Sequence, residues 1–476
     1  MRKDFFDQKH FGPYINNEQI ETDETIDHDF LMEKEKGVRL SFAGPKEVTS
    51  ALEGSEMGKA TLANLNPHER AEILHKMADL LRSHADPIGQ MITREMGKTI
   101  RDAKGEVEYA ANYFDWYAEE GKRVYGYTVP SHISGKEILV QHAPVGTVAV
   151  ITPWNFPIAM GARKIAPAIA AGCASIVRPS TDTALSMLTL GAIAQEAGLP
   201  AGALQIIPGD PVAISTKLLS DFRVRKLTFT GSTEVGKLLY SQSTSTLKKV
   251  TLELGGHAPV LVFDDADLEK AAEEAIKAKL RVSGQTCVCA NRIYVQKKSV
   301  EPFVALLKEK LSKLKMGNPL DESTDLTNVL HPTSQIKVPK QIKDAIGKGA
   351  NCEVGGGVPH EPTILTGVTP EMTIYTEETF GPVFPIIPFE TEEEGIAHAN
   401  NTIYGLAAYL FTTNVDRVFR VTKALEYGII GVNNGLPTSF EAPFGGVKSS
   451  GFGREGGPTG IYEYLTEKTI SIAWTR

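Results

Sequence analysis

The chain has 476 residues, 42% of them hydrophobic and 23% charged, with a formal net charge of −8. This composition leaves enough apolar material for about three structural units and excludes disorder or coiled coil as the main state. The acidic balance, with no dense Lys/Arg block, argues against a nucleic-acid partner, and the longest apolar runs are too short to span a bilayer, so no membrane association is expected.

The sequence opens Met1-Arg2-Lys3-Asp4-Phe5-Phe6-Asp7, with no apolar signal region. Four cysteines cannot build a disulfide framework for a chain of this length. Both points favour a cytoplasmic protein. Residues 1–60 read as a polar, irregular edge. Asn66-Pro67 reads as an N-cap followed by proline at the first helical position, with Ile73, Leu74, Met77, Leu80 and Leu81 following at helical spacing. A second helix is predicted over 104–120 and a hairpin or arm over 125–138. From Gly146 short apolar runs alternate with helices: strands at 147–151, 174–177, 204–207, 226–229 and 250–254, helices at 158–171 and 183–197. That alternation predicts a parallel sheet with right-handed crossovers. It starts again after Gly256, with strands at 260–263 and 293–296 and helices at 267–282 and 300–315. A second α/β unit of nearly 200 residues is expected.

Several loops carry candidate chemistry. Gly231-Ser232-Thr233-Glu234-Val235-Gly236-Lys237 follows a strand and opens a helix, whose free N–H groups and positive dipole end suit a phosphate. Position 238 is Leu, so the Mg2+-binding hydroxyl of a Walker A loop is missing and an NTPase is disfavoured. An ordinary strand-to-helix turn is the plainer alternative. Gly451-Phe452-Gly453-Arg454-Glu455-Gly456 matches G-x-G-x-x-G but follows no clear strand, and reads as a structural loop. Cys287, in Gly284-Gln285-Thr286-Cys287-Val288-Cys289, sits in a glycine-containing turn after a helix. It is a candidate nucleophile if nearby dipoles or cations favour its thiolate. A small buried hydrophobe, a strained i,i+2 disulfide and a zinc pair compete for the same pattern. Zinc prefers C-x2-C and further ligands, so no metal is expected.

Glu253 ends an apolar strand, where a carboxylate is costly to bury unless it works or is paired. Asn155, in Pro153-Trp154-Asn155-Phe156-Pro157, is placed either to donate to a developing oxyanion or simply to make a turn. Arg163 and Arg281 stand on otherwise apolar or small-residue helices, as functional cations or as ordinary paired arginines.

Six motifs occur in order: the Pro153–Pro157 segment, Phe229-Thr230-Gly231-Ser232, Leu252-Glu253-Leu254-Gly255-Gly256, Gly284-Gln285-Thr286-Cys287, Glu378-Thr379-Phe380-Gly381-Pro382 and Pro443-Phe444-Gly445-Gly446. Over about residues 65–470 the series resembles the NAD(P)-dependent aldehyde dehydrogenase superfamily. Segments 114–126, 284–293 and 424–433 are similar to its succinate-semialdehyde dehydrogenase branch. The resemblance implies an α/β fold: a Rossmann-type dinucleotide-binding domain (1–124 and 144–254), an α/β catalytic domain (255–447) and a small oligomerisation arm with the C-terminal segment (125–143 and 448–476). The arm and residues 470–473 would form an intersubunit sheet in a homodimer or homotetramer.

By the same resemblance Cys287 attacks the aldehyde, Asn155 and the Cys287 backbone N–H stabilise the oxyanion, and Glu253 activates the hydrolytic water. Ile151, Thr152 and Trp154 line the cofactor channel, Gly231, Ser232 and Leu254 meet the dinucleotide, and Glu378 and Phe380 hold the nicotinamide end. Arg178 stands where the family usually has Lys, in Arg178-Pro179-Ser180-Thr181, and Thr181 stands where NAD-preferring members often carry Glu. A strong phosphate partner without an opposing carboxylate implies NADP favoured over NAD. Arg163, Arg281 and Thr438 correspond to the branch's clamp for a distal carboxylate, so a small anionic aldehyde is the implied substrate. Arg281 lies six positions before Cys287, a separation that about two helical turns would span. Thr438 replaces the usual Ser, and Pro437 and Phe440 also depart, which leaves room for glutarate semialdehyde. His257 replaces the Asn usual after Leu-Gly-Gly, and 326–332 lacks the usual Gly-Pro, read here as surface variation. Cys289 is a redox-switch candidate through an i,i+2 disulfide with Cys287. Two other classes compete: a CoA-acylating semialdehyde dehydrogenase, disfavoured by Glu253, and a non-enzymatic user of the fold, disfavoured by intact Cys287, Glu253 and Asn155.

Overall fold

The computed structural model of the chain describes residues 5–328 and 330–474, with the side chains of 33–36 outside that description. Residues 1–4, the start of the segment in which no apolar signal region is expected, and 475–476, at the end of the expected C-terminal segment, therefore lie outside it. Asn66 caps the Pro67–Ser83 helix as expected: its side chain accepts from the N–H groups of His68 and Glu69, and Glu69 returns a carboxylate to the Asn66 N–H. The second helix runs Ile100–Glu120, four residues longer at its start than its periodicity suggests, because Thr99 caps it there. Leu74, Met77 and Leu81 share one core with Val107, Ala110, Ala111 and Phe114.

Among the described residues, 5–60 are not a loose edge. His10–Phe11, Glu33–Ser41 and Thr25–Phe30 form a three-stranded sheet. Pro45–Asn64 is a 20-residue helix that buries Val48, Ala51, Leu52 and Leu62. Its apolar signal is weak because its packing face is made of small residues. A Cβ on Gly58 would lie 2.1 Å from the Gly202 carbonyl carbon, so the helix backbone rests directly on the neighbouring turn.

The first large sheet has eight strands, in spatial order Gly451–Phe452, Lys249–Glu253, Val224–Thr230, Thr147–Ile151, Ser175–Arg178, Leu204–Ile206, Tyr14–Ile15 and Glu18–Gln19. Lys249–Glu253 through Leu204–Ile206 run parallel. The earliest of these in the chain, Thr147–Ile151, lies at the centre, with later strands added to both sides. This is a doubly wound, Rossmann-type topology, with its switch point between Thr147–Ile151 and Val224–Thr230. The Gly451–Phe452 edge, which the sequence reading treated as loop, pairs antiparallel with the strand that ends in Glu253.

The second sheet has seven strands, ordered Asn351–Val354, Thr363–Thr366, Val383–Phe389, Ala290–Gln296, Ala258–Val262, Ala407–Phe411 and Ile429–Val432. All but the first neighbour pair run parallel. The arm is a separate three-stranded sheet: Lys136–Pro144 pairs with Tyr127–Pro130 on one side and with Leu465–Ala473 on the other, the latter over nine residue pairs. Among the described residues, no helix is long and apolar enough to cross a membrane.

Candidate active site

The carboxyl ends of Thr147–Ile151 and Val224–Thr230 open onto a cavity of about 290 Å3. It is lined from the first large sheet by Trp154, Asn155, Arg163, Gly231, Ser232 and Leu254, and from the second by Arg281, Cys287, Glu378, Phe380 and Thr438. Eleven of the residues singled out from sequence therefore meet in one space. Ile151, Thr152, Arg178, Ser180, Thr181, Glu253 and Cys289 lie outside its lining.

Asn155 is fixed from three directions. Pro157 starts the fully buried Pro157–Ala171 helix. Glu106 caps that helix by accepting from the N–H groups of Ile158 and Ala159 at 2.8 and 3.1 Å. Lys98 pairs with Glu106 and donates to the Asn155 carbonyl at 2.7 Å, with its ammonium 4.0 Å from the Phe156 ring. The Asn155 side-chain Nδ2 donates to the Gln285 carbonyl at 3.0 Å, tying it to the loop that carries Cys287. Neither Lys98 nor Glu106 stands out in the sequence: the first lies in a short connection between two helices, and the second lies among other charged residues of the Ile100–Glu120 helix.

The cysteine loop follows the Leu268–Leu280 helix, but not through two further helical turns. Arg281 ends that helix with extended ψ, and Val282, Ser283 and Gly284 all take positive φ. This left-handed turn, rather than a continuing helix, carries Arg281 to the cavity. A Cβ on Gly284 would lie 2.4 Å from the Gly381 carbonyl, so the position needs glycine for both space and conformation. A Cβ on Gly256 would meet the Cys287 carbonyl at 2.3 Å. Cys287 opens on the cavity yet is shielded by surrounding protein. Burial pushes its thiol up to about 12, with Arg163 opposing the shift and Glu378 and Glu253 adding to it. Cys289 is fully buried with its Sγ 3.5 Å from the Lys279 carbonyl, and both cysteines are free thiols.

Glu253 ends its strand opposite Thr230 and Gly451. Both of its carboxylate oxygens are buried without a protein partner. Burial and the negative charge of Glu455 hold its carboxyl well above the usual range, against Arg163 and Lys164. Glu455 lies in the glycine-rich segment read as a structural loop, and it is a central charge of the site. It accepts from Arg163 Nε at 2.7 Å, from Thr228 at 3.1 Å and from Lys164. Burial acts to raise Glu455, but Lys164 and Arg163 outweigh it and keep this carboxylate below its ordinary value. Lys164 also donates to Thr230 at 2.7 Å. The available sequence signal was two adjacent cations on an otherwise apolar helix.

The other large lobe closes the cavity. The Glu378 carboxylate accepts the Gly256 N–H at 3.0 Å, and burial raises its carboxyl to about 7. Phe380, at φ +55°, sets its ring edge-on to Trp154 at 5.7 Å. The 326–332 segment (Val329 lies outside the described residues) is not surface variation. His331 stacks on Trp154 at 3.9 Å, its backbone N–H donates to the Gln285 side chain at 2.9 Å, and Thr333 and Ser334 just beyond it line the cavity. His257 is buried with Nε2 on the Tyr375 carbonyl at 2.9 Å, and burial keeps the ring neutral. It therefore packs behind the site instead of facing it.

The donor set fits a dinucleotide. Ser232 caps the Thr233–Ser243 helix, whose first N–H groups have no partner within the helix. Gly231 has no room for a Cβ, which would lie 2.4 Å from the Phe229 ring. Arg178 donates to Thr181 Oγ1 and the Gly209 carbonyl, both at 3.2 Å, while its Nε and the Thr152 hydroxyl are buried without partners. Ser180 donates to Asp182 at 3.3 Å.

Comparison with known proteins agrees with this geometry. The aldehyde dehydrogenase family model matches residues 14–470. The chain is 45% identical to succinate-semialdehyde dehydrogenase [NADP(+)] GabD of Escherichia coli, over 90% of both chains. It is 43% identical to glutarate-semialdehyde dehydrogenase of Pseudomonas putida, over 97% of both. The crystal structure of succinate-semialdehyde dehydrogenase from Burkholderia pseudomallei superposes with a TM-score of 0.96 at 44% identity, covering 100% of both chains. With Glu378, a loop cysteine and a glycine-lined helix start converging on one cavity, and with the family model matched over nearly the whole chain, the chain belongs to the aldehyde dehydrogenase family.

Proposed function

We propose that this protein oxidises succinate semialdehyde, or a similar ω-carboxy aldehyde such as glutarate semialdehyde, to the acid, using NADP in preference to NAD. The observation that carries this reading is the placement of Arg163 and Arg281 in the cavity that Cys287 opens on. Arg281 lies 5.0 Å from the Phe156 ring, and among the described residues no carboxylate is within ion-pair distance of it. A substrate carboxylate would supply that partner, with Thr438 adding a hydroxyl.

In this mechanism the Cys287 thiolate forms a thiohemiacetal with the aldehyde carbon. Asn155 Nδ2 and the Cys287 backbone N–H hold the oxyanion. When bound, the nicotinamide supplies a hydride acceptor with a positively charged ring. Loss of hydride from the substrate carbon leaves a Cys287 thioester. Glu253 acts here in its ionised form, a strong base because burial raises its carboxyl: it takes a proton from water as that water attacks the thioester, and Cys287 is released with the carboxylic acid. Ser232 and Gly231 would hold the pyrophosphate, Glu378 the nicotinamide ribose, and Arg178 the 2′-phosphate without an opposing carboxylate at Thr181. The arm, with Tyr125, Tyr127, Ile472 and Trp474 exposed, would seat a second copy in a homodimer or homotetramer.

The test is an aldehyde panel with both cofactors on the parent, Arg163→Ala and Arg281→Ala. Each variant is expected to raise KM for succinate semialdehyde far more than for butanal, which lacks the carboxylate. Equal effects on both aldehydes would remove the clamp. A strong preference for NAD in kcat/KM would overturn the cofactor assignment.

A further inference from the structure

The substrate end of the cavity contains a pair of phenols that the carboxylate clamp leaves unused. Tyr109 and Tyr113 lie one turn apart on the Ile100–Glu120 helix. Their hydroxyl oxygens are 2.8 Å apart, and their rings meet edge-to-face at 4.9 Å. Tyr113 is fully buried, whereas Tyr109 is half-buried and lines the cavity with Arg163, Arg281 and Thr438. Both phenols are close enough to Arg163 to act on its charge.

Arg163 has little freedom to satisfy a carboxylate alone. Its Nε is taken by Glu455 at 2.7 Å, one Nη lies 3.2 Å from the Met160 sulfur, and the Phe444 ring lies 4.0 Å from the guanidinium carbon. A carboxylate offers about four lone-pair sites, more than one edge of a fixed guanidinium fills. The proton arrangement of the phenols follows from burial. Tyr113 has no other hydrogen-bond partner among the described residues, and a buried O–H left unmade is costly. Its proton therefore goes to the Tyr109 oxygen, and the Tyr109 O–H is left to donate into the cavity.

We infer that Tyr109 is a specificity-determining residue whose hydroxyl donates to the substrate's distal carboxylate, and that Tyr113 is the positioning residue that orients it. This rests on the carboxylate-clamp reading above. It predicts a site tuned to anionic aldehydes by a neutral donor as well as by two cations.

The experiment measures kcat and KM for succinate semialdehyde and for butanal with the parent, Tyr109→Phe, Tyr113→Phe, the double variant and Arg281→Ala. Tyr109→Phe is expected to raise KM for succinate semialdehyde by about ten- to a hundredfold, the range for a hydrogen bond to a charged group, with kcat and the butanal constants nearly unchanged. Tyr113→Phe removes a neutral hydrogen bond and is expected to raise the same KM by about two- to tenfold. It should add nothing in the Tyr109→Phe background. If Arg281→Ala discriminates between the aldehydes and Tyr109→Phe does not, the Tyr109 assignment is wrong and the clamp stands. A Tyr109→Phe that raises KM equally for both aldehydes also overturns it, because the ring would then only shape the cavity. Should Arg281→Ala itself fail to discriminate, the clamp falls and the Tyr109 role falls with it.

Discussion

Lys98→Met tests the structure at a place distant from any recognised motif. Lys98 and Glu106 are both fully buried and paired, and Lys98 also donates to the Asn155 carbonyl at 2.7 Å. Methionine keeps the length of the stem and its packing on Phe156 but deletes the charge and the donor. Removing one member of a buried pair costs about 3–5 kcal/mol, because the other charge is left uncompensated. Glu106 keeps its hydrogen bonds from Ile158 and Ala159 at 2.8 and 3.1 Å, which places the cost near the lower end, about 3 kcal/mol. The catalytic effect has a ceiling. Deleting an oxyanion donor outright costs about 100- to 1,000-fold in kcat, and Lys98→Met only loosens the residue that carries the donor. A loss between about tenfold and that ceiling is expected. The assay is a double-mutant cycle on kcat with Asn155→Ala, with urea midpoints as the stability readout. Lys98→Met should lower kcat in the parent and change little in the Asn155→Ala background. An equal fold loss in both backgrounds would show that Lys98 does not act through Asn155. An unchanged midpoint would show that the pair does not hold the helix start.

Two further outcomes are expected. Burial raises the Cys287 thiol to about 12, so at neutral pH the free enzyme holds the protonated form. Iodoacetamide inactivation should speed up by about tenfold per pH unit from pH 7 to 10, and a rate that levels off near pH 9 would show a thiol that is not raised. Peroxide should inactivate the parent in a manner that added thiol reverses through a Cys287–Cys289 disulfide. Cys289→Ala should instead lose activity irreversibly, and thiol-reversible inactivation of that variant would remove Cys289 from the switch.

What was legible in the sequence was whatever chemistry occupies a few consecutive residues. Gly231-Ser232 reads as a strand-to-helix turn because glycine and a capping serine are locally diagnostic, and the Val224–Thr230 strand and Thr233–Ser243 helix flank it as expected. Cys287, Asn155 and Glu378 stand in short motifs, Arg163 stands out as a cation on an otherwise apolar helix, and all four converge on one cavity. The partners that set their chemistry were not legible, because ionic pairing is made by tertiary closure. Glu455 lies 292 positions from Arg163, in a glycine-rich segment that looks like filler. His331 reaches Trp154 from a stretch with no periodic signal. The rule that α/β sites form at carboxyl ends holds for Glu253 and Asn155, but the Cys287 loop precedes the Ala290–Gln296 strand and so enters from its amino end. The Arg281 turn was missed for a related reason. Val282 at positive φ is unfavourable for a β-branched residue, so nothing local in the sequence signals the turn, which is seen only once Gly284 is packed against Gly381 in the fold.

The charges around the cavity divide the labour between specificity and reactivity. Lys98 is matched by Glu106, while Arg163 and Lys164 share the single carboxylate of Glu455. Arg281 has none among the described residues. Glu253 is a poor source of compensating charge, because burial and Glu455 favour its neutral form. An acidic chain thus keeps a local cationic excess at Arg281, which is half-buried, and a partly desolvated cation without a partner is costly. An anionic substrate relieves that cost, so the excess is a physical source of affinity for a distal carboxylate. The same relief has a consequence for the nucleophile. Arg163 is the main charge that lowers the Cys287 thiol, and a carboxylate seated on Arg163 cancels part of that influence. Substrate binding alone therefore disfavours the thiolate it needs. The remaining stabilisation has to come from the Cys287 backbone N–H and from positive charge on the cofactor side of the cavity. On the proposed mechanism, then, the arginines would select the aldehyde, and a different set of dipoles and charges would activate the cysteine.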